Sequence, residues 1–333
     1  MMLRTIIITY RVAGGCVMAG KRKVFAVGAM ILLLLGTIMT ACGSSASVEE
    51  SKDARTVVDA RGKNVVLPAR MERIVFIGNS IDDLFVLGIA PVGANLQNMT
   101  KGVYDERMES IVDVGHPGDA ERILALNPDL IIASINVMDA QGMESLEAIA
   151  PTVAYEHGKS LYDRLRFFGE VLDKREEVET WIAGYEAKVE QAWSELASTV
   201  PAGSTASVFI YEGKTFYIMG NRGLPLTLFN ERHGFAPAGK TADLIRDGEP
   251  FVDISSELLP EYAGDYIFFI NSADDEDNQF VDEFLRSSFA QSLPAVRNGK
   301  VFHVDSKWNH DGAIVREQLL NELKTILQPN SAS

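Results

Sequence analysis

The sequence predicts an α/β protein built from two similar lobes that a single long helix connects. Three observations predict this: short apolar strands alternate with helices, one long amphipathic stretch lies near the middle of the chain, and one acidic pattern occurs twice. Continuous apolar strands that alternate with helices are typical of parallel sheets covered on both faces. The 333 residues exceed what a single hydrophobic core usually holds and therefore fit two lobes.

The N-terminal 41 residues have the pattern of a secretory signal, and Met18 is expected to be its true start. A basic run at 21–23 precedes an apolar run from Ala26 to Met39, and small residues follow. The apolar run is shorter than the about 20 residues that a transmembrane helix needs. We therefore predict a signal peptide over residues 1–41.

Cys42 indicates how the mature chain is held. The segment Met39-Thr40-Ala41-Cys42 resembles the lipobox of bacterial lipoproteins, in which the Cys is lipidated and becomes the first residue. This resemblance implies a lipid on Cys42 and a flexible tether over residues 42–54. An ordinary signal peptide that contains a Cys is the alternative. The other Cys, Cys16, lies before the cleavage point, so the mature chain has no thiol for a disulfide or a nucleophile.

The charge balance argues against a nucleic-acid partner. The net charge is −15, and the first 41 residues hold five of the 31 basic residues and no acidic one. The mature chain therefore has 26 basic against 46 acidic residues, a net charge of −20. Binding to nucleic acid needs a basic surface, which this composition does not favour.

The first lobe is predicted over residues 55–158. An alternating segment around a Gly reads as an opening hairpin, and a buried strand from Ile74 to Ile77 follows it. Further strands are expected at 91–94, 129–134 and 151–155, with helices between them.

The connecting segment is predicted over residues 159–199. From Lys174 to Ala197 the apolar residues fall on one helical stripe, which comprises Val178, Trp181, Ile182, Tyr185, Val189, Ala192, Trp193 and Leu196. A helix of that length spans about 35 Å, which is long enough to bridge two lobes.

The second lobe is predicted over residues 200–330 and repeats the construction of the first. Strands are expected at 206–211, 215–220, 265–270 and 301–305, and a terminal helix over 313–327. The repeated acidic pattern joins the two lobes: Glu121 precedes Asp129 by the same interval as Glu257 precedes Asp265, and an apolar strand follows each Asp. We therefore expect Glu121 and Glu257 at equivalent places.

Several segments together resemble the bacterial periplasmic-type binding proteins that deliver ferric siderophores, haem or cobalamin to ABC importers. The segments are DARGKNVVLPARMERIVFIG, LGIAPVGA, VGHPGDAERILALNPDLIIAS, DISSELLPEYAGDYIFF and VFHVDSKWNHDGAI. The resemblance extends from Thr56 to Leu327. It implies two Rossmann-like lobes joined by one rigid helix, the architecture of class III periplasmic binding proteins.

The same resemblance implies a function. The chain would be a monomeric solute-binding protein, lipid-anchored on the extracellular face of a Gram-positive type of cell membrane. It would capture a ferric siderophore in the cleft between the lobes and deliver it to an ABC permease, which a cytoplasmic ATPase drives. The siderophore itself would hold the iron, so neither a cofactor nor a metal site is expected. Haem or cobalamin as the ligand of the same importer class is the alternative.

Enzyme activity is not expected. The sequence has neither a GxSxG elbow nor a P-loop, and the GKTAD segment at Gly239 lacks the upstream glycine pattern of a Walker motif.

Glu121 and Glu257 match the positions at which this family docks one Glu from each lobe onto arginines of the permease. Two carboxylates fixed on one rigid body would set the register of docking as well as provide attraction. The alternative is that each Glu complements the positive end of a short helix.

The ligand residues are expected where strands end, because ligands of α/β lobes bind outside the carboxyl ends of the strands. The candidates in the first lobe are Asn79, Asn98, Lys101, Tyr104, Arg107 and Asn136. Those in the second lobe are Tyr211, Arg222, Trp308 and His310.

Arg222 gives a slight preference for a catecholate siderophore, because it matches a basic residue of catecholate-binding relatives and such a chelate is negatively charged. An ion pair within the lobe is the alternative for Arg222, and core packing is the alternative for Trp308. Lys101 and Arg107 are equally consistent with solvated loop charges. His310 and Met99 could face each other as axial ligands of haem. The five His residues lack the spacing of a bare metal site.

Overall fold

The computed structural model describes residues 55–99, 101–229 and 232–327, without the side chain of Asn98. The predicted signal peptide, the lipidated Cys42 and the tether over 42–54 lie outside the described residues. The predicted ligand contact of the Asn98 side chain lies outside them as well. No helix in the described part of the chain has the length and apolar character needed to cross a membrane.

The first half of the described chain forms a five-stranded parallel sheet in the order β5-β4-β3-β6-β7. Its strands are β3 (Ile74–Ile77), β4 (Gly93–Ala94), β5 (Val112–Asp113), β6 (Leu130–Ser134) and β7 (Thr152–Tyr155). The predicted hairpin precedes it, with β1 (Thr56–Val58) antiparallel to β2 (Asn64–Val66). Strands β3, β6 and β7 are buried along their whole length, as their continuous apolar runs predict.

The second half forms a six-stranded sheet in the order β11-β9-β8-β12-β13, with β10 paired to β8. Its strands are β8 (Thr205–Glu212), β9 (Thr215–Met219), β10 (Ala236–Pro237), β11 (Phe251–Ile254), β12 (Tyr266–Ile270) and β13 (Val301–Val304).

This second sheet is mixed rather than wholly parallel, because β8 and β9 form an antiparallel hairpin. The two residues between them, Gly213 and Lys214, both have positive φ angles, of 58° and 66°. Such a two-residue turn has the twist that joins adjacent antiparallel strands.

Twelve helices are described. They are α1 (Asp82–Phe85), α2 (Asp105–Met108), α3 (Ala120–Ala125), α4 (Ala140–Glu147), α5 (Leu161–Leu172), α6 (Arg175–Leu196), α7 (Pro225–Leu228), α8 (Thr241–Asp247), α9 (Leu259–Tyr262), α10 (Asp275–Leu285), α11 (Pro294–Arg297) and α12 (Ala313–Ile326). Short 3₁₀ turns cover Leu96–Asn98, Ser256–Leu258, Ala290–Ser292 and Ser306–Trp308.

The long helix α6 has 22 residues, a length of about 33 Å. Six residues of the predicted stripe are buried: Val178, Ile182, Tyr185, Val189, Trp193 and Leu196. The helix packs against α5 and the terminal helix α12. Its buried stripe belongs to a hydrophobic core that includes residues of both sheets. The division of the chain into lobes over 55–158 and 200–330 stays a prediction.

The two Asp residues of the repeated pattern have the same structural role. Oδ2 of Asp129 accepts hydrogen bonds from the backbone N–H groups of Glu72 and Arg73, at 2.7 and 3.0 Å. Oδ2 of Asp265 accepts from the backbone N–H and the hydroxyl of Thr205, at 3.0 and 2.9 Å. Each Asp directly precedes a central strand, β6 or β12, and binds the start of the parallel neighbour, β3 or β8. The pattern therefore marks equivalent places in the two sheets.

Candidate functional site

A cavity of about 410 Å³ lies among the loops that follow five strands. Its lining comprises Asn79, Gln97, Met99, His157, Arg222, Gly223, Asn309, His310 and Asp311. The first sheet contributes residues that follow β3, β4 and β7, and the second sheet contributes residues that follow β9 and β13. Polar side chains from both halves of the chain therefore meet around one space.

Three of the predicted ligand residues line this cavity: Asn79, Arg222 and His310. Met99, which the sequence pairs with His310 as a possible haem ligand, lines it too and is buried. The lining also contains Gln97, His157, Asn309 and Asp311, which were not on the predicted list. Gln97 and Asn309 are chain neighbours of predicted residues, and His157 follows a predicted strand, so position along the chain could have indicated them.

Tyr211 and Arg222 were expected at one edge of the sheet, and this expectation is wrong. Tyr211 lies near the end of β8, whereas Arg222 follows β9, and these strands run antiparallel. The two residues therefore lie at opposite ends of the hairpin. Tyr211 is buried in an aromatic cluster, with its ring stacked on Phe280 at 4.2 Å between centroids.

The other predicted residues are not among the lining side chains. Tyr104 is buried and packs edge-on against Phe85, with 5.6 Å between ring centroids. Arg107 is exposed, with its guanidinium carbon 5.8 Å from the centroid of the same Phe85 ring. Lys101 is exposed. Trp308 is buried in the core, and the Lys307 ammonium lies 4.9 Å from the centroid of its ring.

Asn136 supports the cavity from outside. Its side-chain oxygen accepts a hydrogen bond from the backbone N–H of His157 at 3.0 Å. Because His157 lines the cavity, Asn136 helps to set the position of that loop.

A glycine allows the close approach of two lining loops. Gly223 has a φ of 62°, and a Cβ atom at this position would overlap the side chain of Asn309. Any other residue beside Arg222 would therefore push the two loops apart and strain the backbone.

The charge of the lining at neutral pH comes from Arg222 and Asp311. Burial lowers the pKa of both His157 and His310, which favours their neutral forms. Burial opposes ionisation of Asp311, but the nearby Arg164 guanidinium and other cations outweigh it and lower its pKa to about 2. Asp311 is paired with Arg164, with Nη1 and Oδ2 3.0 Å apart. The remaining charge of the lining is therefore the positive charge of Arg222.

Glu121 and Glu257 are both exposed and occupy equivalent places. Glu121 lies in the first turn of α3, which Asp119 caps by accepting hydrogen bonds from the N–H groups of Glu121 and Arg122. Glu257 lies in the 3₁₀ turn that leads into α9. These helical segments precede β6 and β12, the two strands that the repeated Asp residues introduce.

The described residues contain no group of three or more His, Cys, Asp or Glu side chains that could hold a metal ion.

A family model described as periplasmic binding protein matches residues 74–308. The chain belongs to this family. The binding protein is 31% identical over 290 residues to the iron(3+)-hydroxamate-binding protein FhuD of Bacillus subtilis, a match that covers 83% of this chain and 89% of the relative. It is 28% identical over 317 residues to the probable siderophore-binding lipoprotein YfiY of the same organism, with 89% and 95% of the two chains covered.

A solved structure has the same fold. The FhuD-fold binding protein of a Fep/Fec-like ferrichrome ABC transporter from Bacillus subtilis superimposes with a TM-score of 0.68 and 28% identity. The match covers 81% of this chain and 98% of the solved one. The predicted α/β architecture of the class III binding proteins is thus confirmed, and the family comprises transport proteins rather than enzymes.

Proposed function

We propose that this binding protein captures a ferric siderophore in the 410 Å³ cavity and delivers it to an ABC permease for iron import. The observation that carries the proposal is the match over nearly the full length of an iron(3+)-hydroxamate-binding relative. The cavity supports it, because it is concave and combines a few polar groups from both halves of the chain.

The charge of the cavity favours a hydroxamate siderophore over a catecholate. Three hydroxamates balance the charge of ferric iron, whereas three catecholates leave a complex with three negative charges. The lining offers one unpaired charge, on Arg222, and otherwise amides and neutral histidines. A site for a trianion would be expected to carry more cations. We therefore replace the slight preference for catecholate that the sequence suggested.

Haem is the second candidate ligand, because Met99 and His310 both line the cavity. Their side chains are of the types that serve as axial ligands of haem iron.

The lipid anchor and the permease contact belong to the same proposal. We infer that Cys42 carries the lipid that holds the protein at the extracellular face of the membrane. We further infer that Glu121 and Glu257 pair with arginines of the permease, since both carboxylates are exposed at equivalent places. Intact-mass analysis of protein extracted from membranes tests the anchor, and an unmodified Cys42 would contradict it.

Titration of the tryptophan fluorescence of the purified protein tests the ligand. The panel comprises a ferric tris-hydroxamate such as ferrioxamine B, a ferric tris-catecholate, ferric citrate, haemin and cobalamin. Tight quenching by the hydroxamate is expected, with weaker binding of the catecholate. Tight binding of haemin alone would favour Met99 and His310 as iron ligands, and no binding by any member would contradict the proposal.

A further inference from the structure

Arg164, near the start of α5, has a buried guanidinium at a junction of three distant segments. Its side chain is only 1% exposed. Nε donates a hydrogen bond to Oδ2 of Asp83 at 2.9 Å, and Nη1 donates to Oδ2 of Asp311 at 3.0 Å. Nη2 donates to the backbone oxygen of Asp311 at 3.0 Å. Nη1 also donates to the backbone oxygens of His157 and Lys159, at 3.3 and 3.0 Å.

The acidic partners of Arg164 continue the junction into the terminal helix. Oδ1 of Asp83 accepts a hydrogen bond from the N–H of Ala313 at 2.9 Å. Oδ2 of the neighbouring Asp82 accepts from the N–H groups of Ile314 and Val315, at 2.9 and 3.3 Å. Helix α12 thus has its first N–H groups satisfied by side chains more than 200 residues away in the sequence.

The same junction borders the ligand cavity. Asp311 and His157 both line it, and Arg164 binds the carboxylate and backbone of the one and the backbone of the other. Nε2 of His157 lies 3.5 Å from Oδ1 of Asp311. The position of the cavity wall from His310 to Asp311, relative to the His157 loop, therefore depends on one guanidinium that lies behind it.

We propose that Arg164 is a positioning residue for ligand binding, which holds the His157 loop and the Asn309–Asp311 segment in the arrangement that receives the ligand. This inference rests on the proposed function of the cavity. Preorganised walls reduce the ordering that binding requires, so ligand affinity should depend on the guanidinium although it does not line the cavity.

The chemistry of the junction explains why only Arg fits. A planar guanidinium has five N–H donors in a fixed fork and can bond two carboxylates and three carbonyl groups together. A Lys ammonium keeps the charge but has three donors on a single atom, and Met keeps much of the volume but has none. Loss of the cation also leaves Asp311 beside His157 without its main partner, which should raise the pKa of His157 because the carboxylate then acts on it unopposed.

The test compares Arg164→Lys and Arg164→Met with a matched control, Arg166→Met, in the full-length protein. Arg166 lies on the same helix but is exposed and pairs with Glu179 at 2.7 Å. The probe is ferrioxamine B, followed by fluorescence titration and stopped-flow dissociation. The expected result is a loss of affinity on the order of tenfold or more in Arg164→Lys, expressed mainly as faster dissociation, with the control unchanged.

A second readout separates positioning from general destabilisation. NMR titration of the histidine side chains should show a raised pKa for His157 in Arg164→Met, and a smaller rise in Arg164→Lys, with no change in the control. Should Arg164→Met fail to fold, Arg164→Lys carries the test alone. Unchanged affinity, dissociation rate and His157 pKa in a folded Arg164 variant would overturn the inference. Absence of binding by the wild-type protein would instead overturn the proposed function.

Discussion

Arg222 supplies the unpaired positive charge of the cavity lining, and it is exposed there. Ferric siderophores present carbonyl and oxo groups that accept hydrogen bonds, so a guanidinium at this place can bind several of them together.

We expect Arg222→Gln to weaken binding of a ferric tris-hydroxamate on the order of tenfold, because one charge-assisted contact is lost. Arg246→Gln is the control, since Arg246 is an exposed arginine that pairs with Asp243 and Asp247 outside the cavity. Isothermal titration calorimetry of the three proteins measures the effect. An unchanged dissociation constant in Arg222→Gln would show that Arg222 does not contact the ligand.

Asp82 and Asp83 are adjacent carboxyl groups that are both buried. Burial, and then the charge of Asp83, raise the pKa of Asp82 to about 7, against the hydrogen bonds that it accepts. Burial also raises the pKa of Asp83, although Arg164 opposes this effect. Asp82 therefore titrates in the neutral range, whereas it would lose its proton near pH 4 in the unfolded chain.

This difference fixes the sign of a pH effect on stability. The folded chain binds the proton of Asp82 more tightly than the unfolded chain, so the free energy of unfolding that this group contributes is largest below about pH 4 and is lost as the pH rises to about 7. Asp82→Asn cannot titrate, and its amide oxygen can accept the same N–H groups of α12. We expect the stability of the variant relative to wild type to increase between about pH 5 and pH 8, by up to about 1.4 kcal/mol per pH unit.

Urea denaturation of both proteins across that pH range measures the difference, which removes the common contributions of other titrating groups. A difference that is independent of pH would contradict the raised pKa of Asp82.

At the scale of single elements, much of the fold could be predicted from the sequence. Buried parallel strands and the long helix α6 have strong periodic or continuous apolar patterns, and the structure contains both. The hairpin of β8 and β9 was not predicted as such, because the Glu-Gly-Lys-Thr segment separates two strands whatever their relative direction. Its direction then moved Tyr211 away from Arg222. The partners of Asp129 and Asp265 also escaped prediction, since they are 57 and 60 residues away in the sequence.

Asp129→Asn tests the role of the repeated Asp at the start of β3. The carboxylate accepts two backbone N–H groups there, and the amide provides a weaker acceptor on one atom only. We expect a loss of about 1–2 kcal/mol in the free energy of unfolding, together with faster hydrogen exchange of the Arg73 amide. Asp139→Asn is a comparable change at an exposed helix cap that is remote from the central strands, and equal exchange at Arg73 in the two variants would contradict the role.

At the scale of the whole molecule, the cavity and the two exposed Glu residues belong to different levels of inference from the sequence. Residues that follow strands could be found by position, which gave Asn79, Arg222 and His310. The junction around Arg164 could not, because it depends on three segments that only the folded chain brings together. Glu121 and Glu257 were found because the same pattern occurs in both halves of the chain, without any knowledge of their surroundings.

Iron uptake by cells tests the central claim most directly, because it needs both capture of the ligand and contact with the permease. Cells that lack the gene are complemented with wild type, with Glu121→Ala/Glu257→Ala, or with Glu144→Ala/Glu276→Ala as a control that removes one exposed helical Glu from each half. Uptake of radioactive iron from a ferric tris-hydroxamate is measured in each strain. We expect uptake with wild type and the control but not with the Glu121/Glu257 variant, whose purified form should bind the ligand with unchanged affinity. Failure of the wild-type gene to restore uptake would contradict the proposed function, and full uptake with the Glu121/Glu257 variant would contradict docking through these residues.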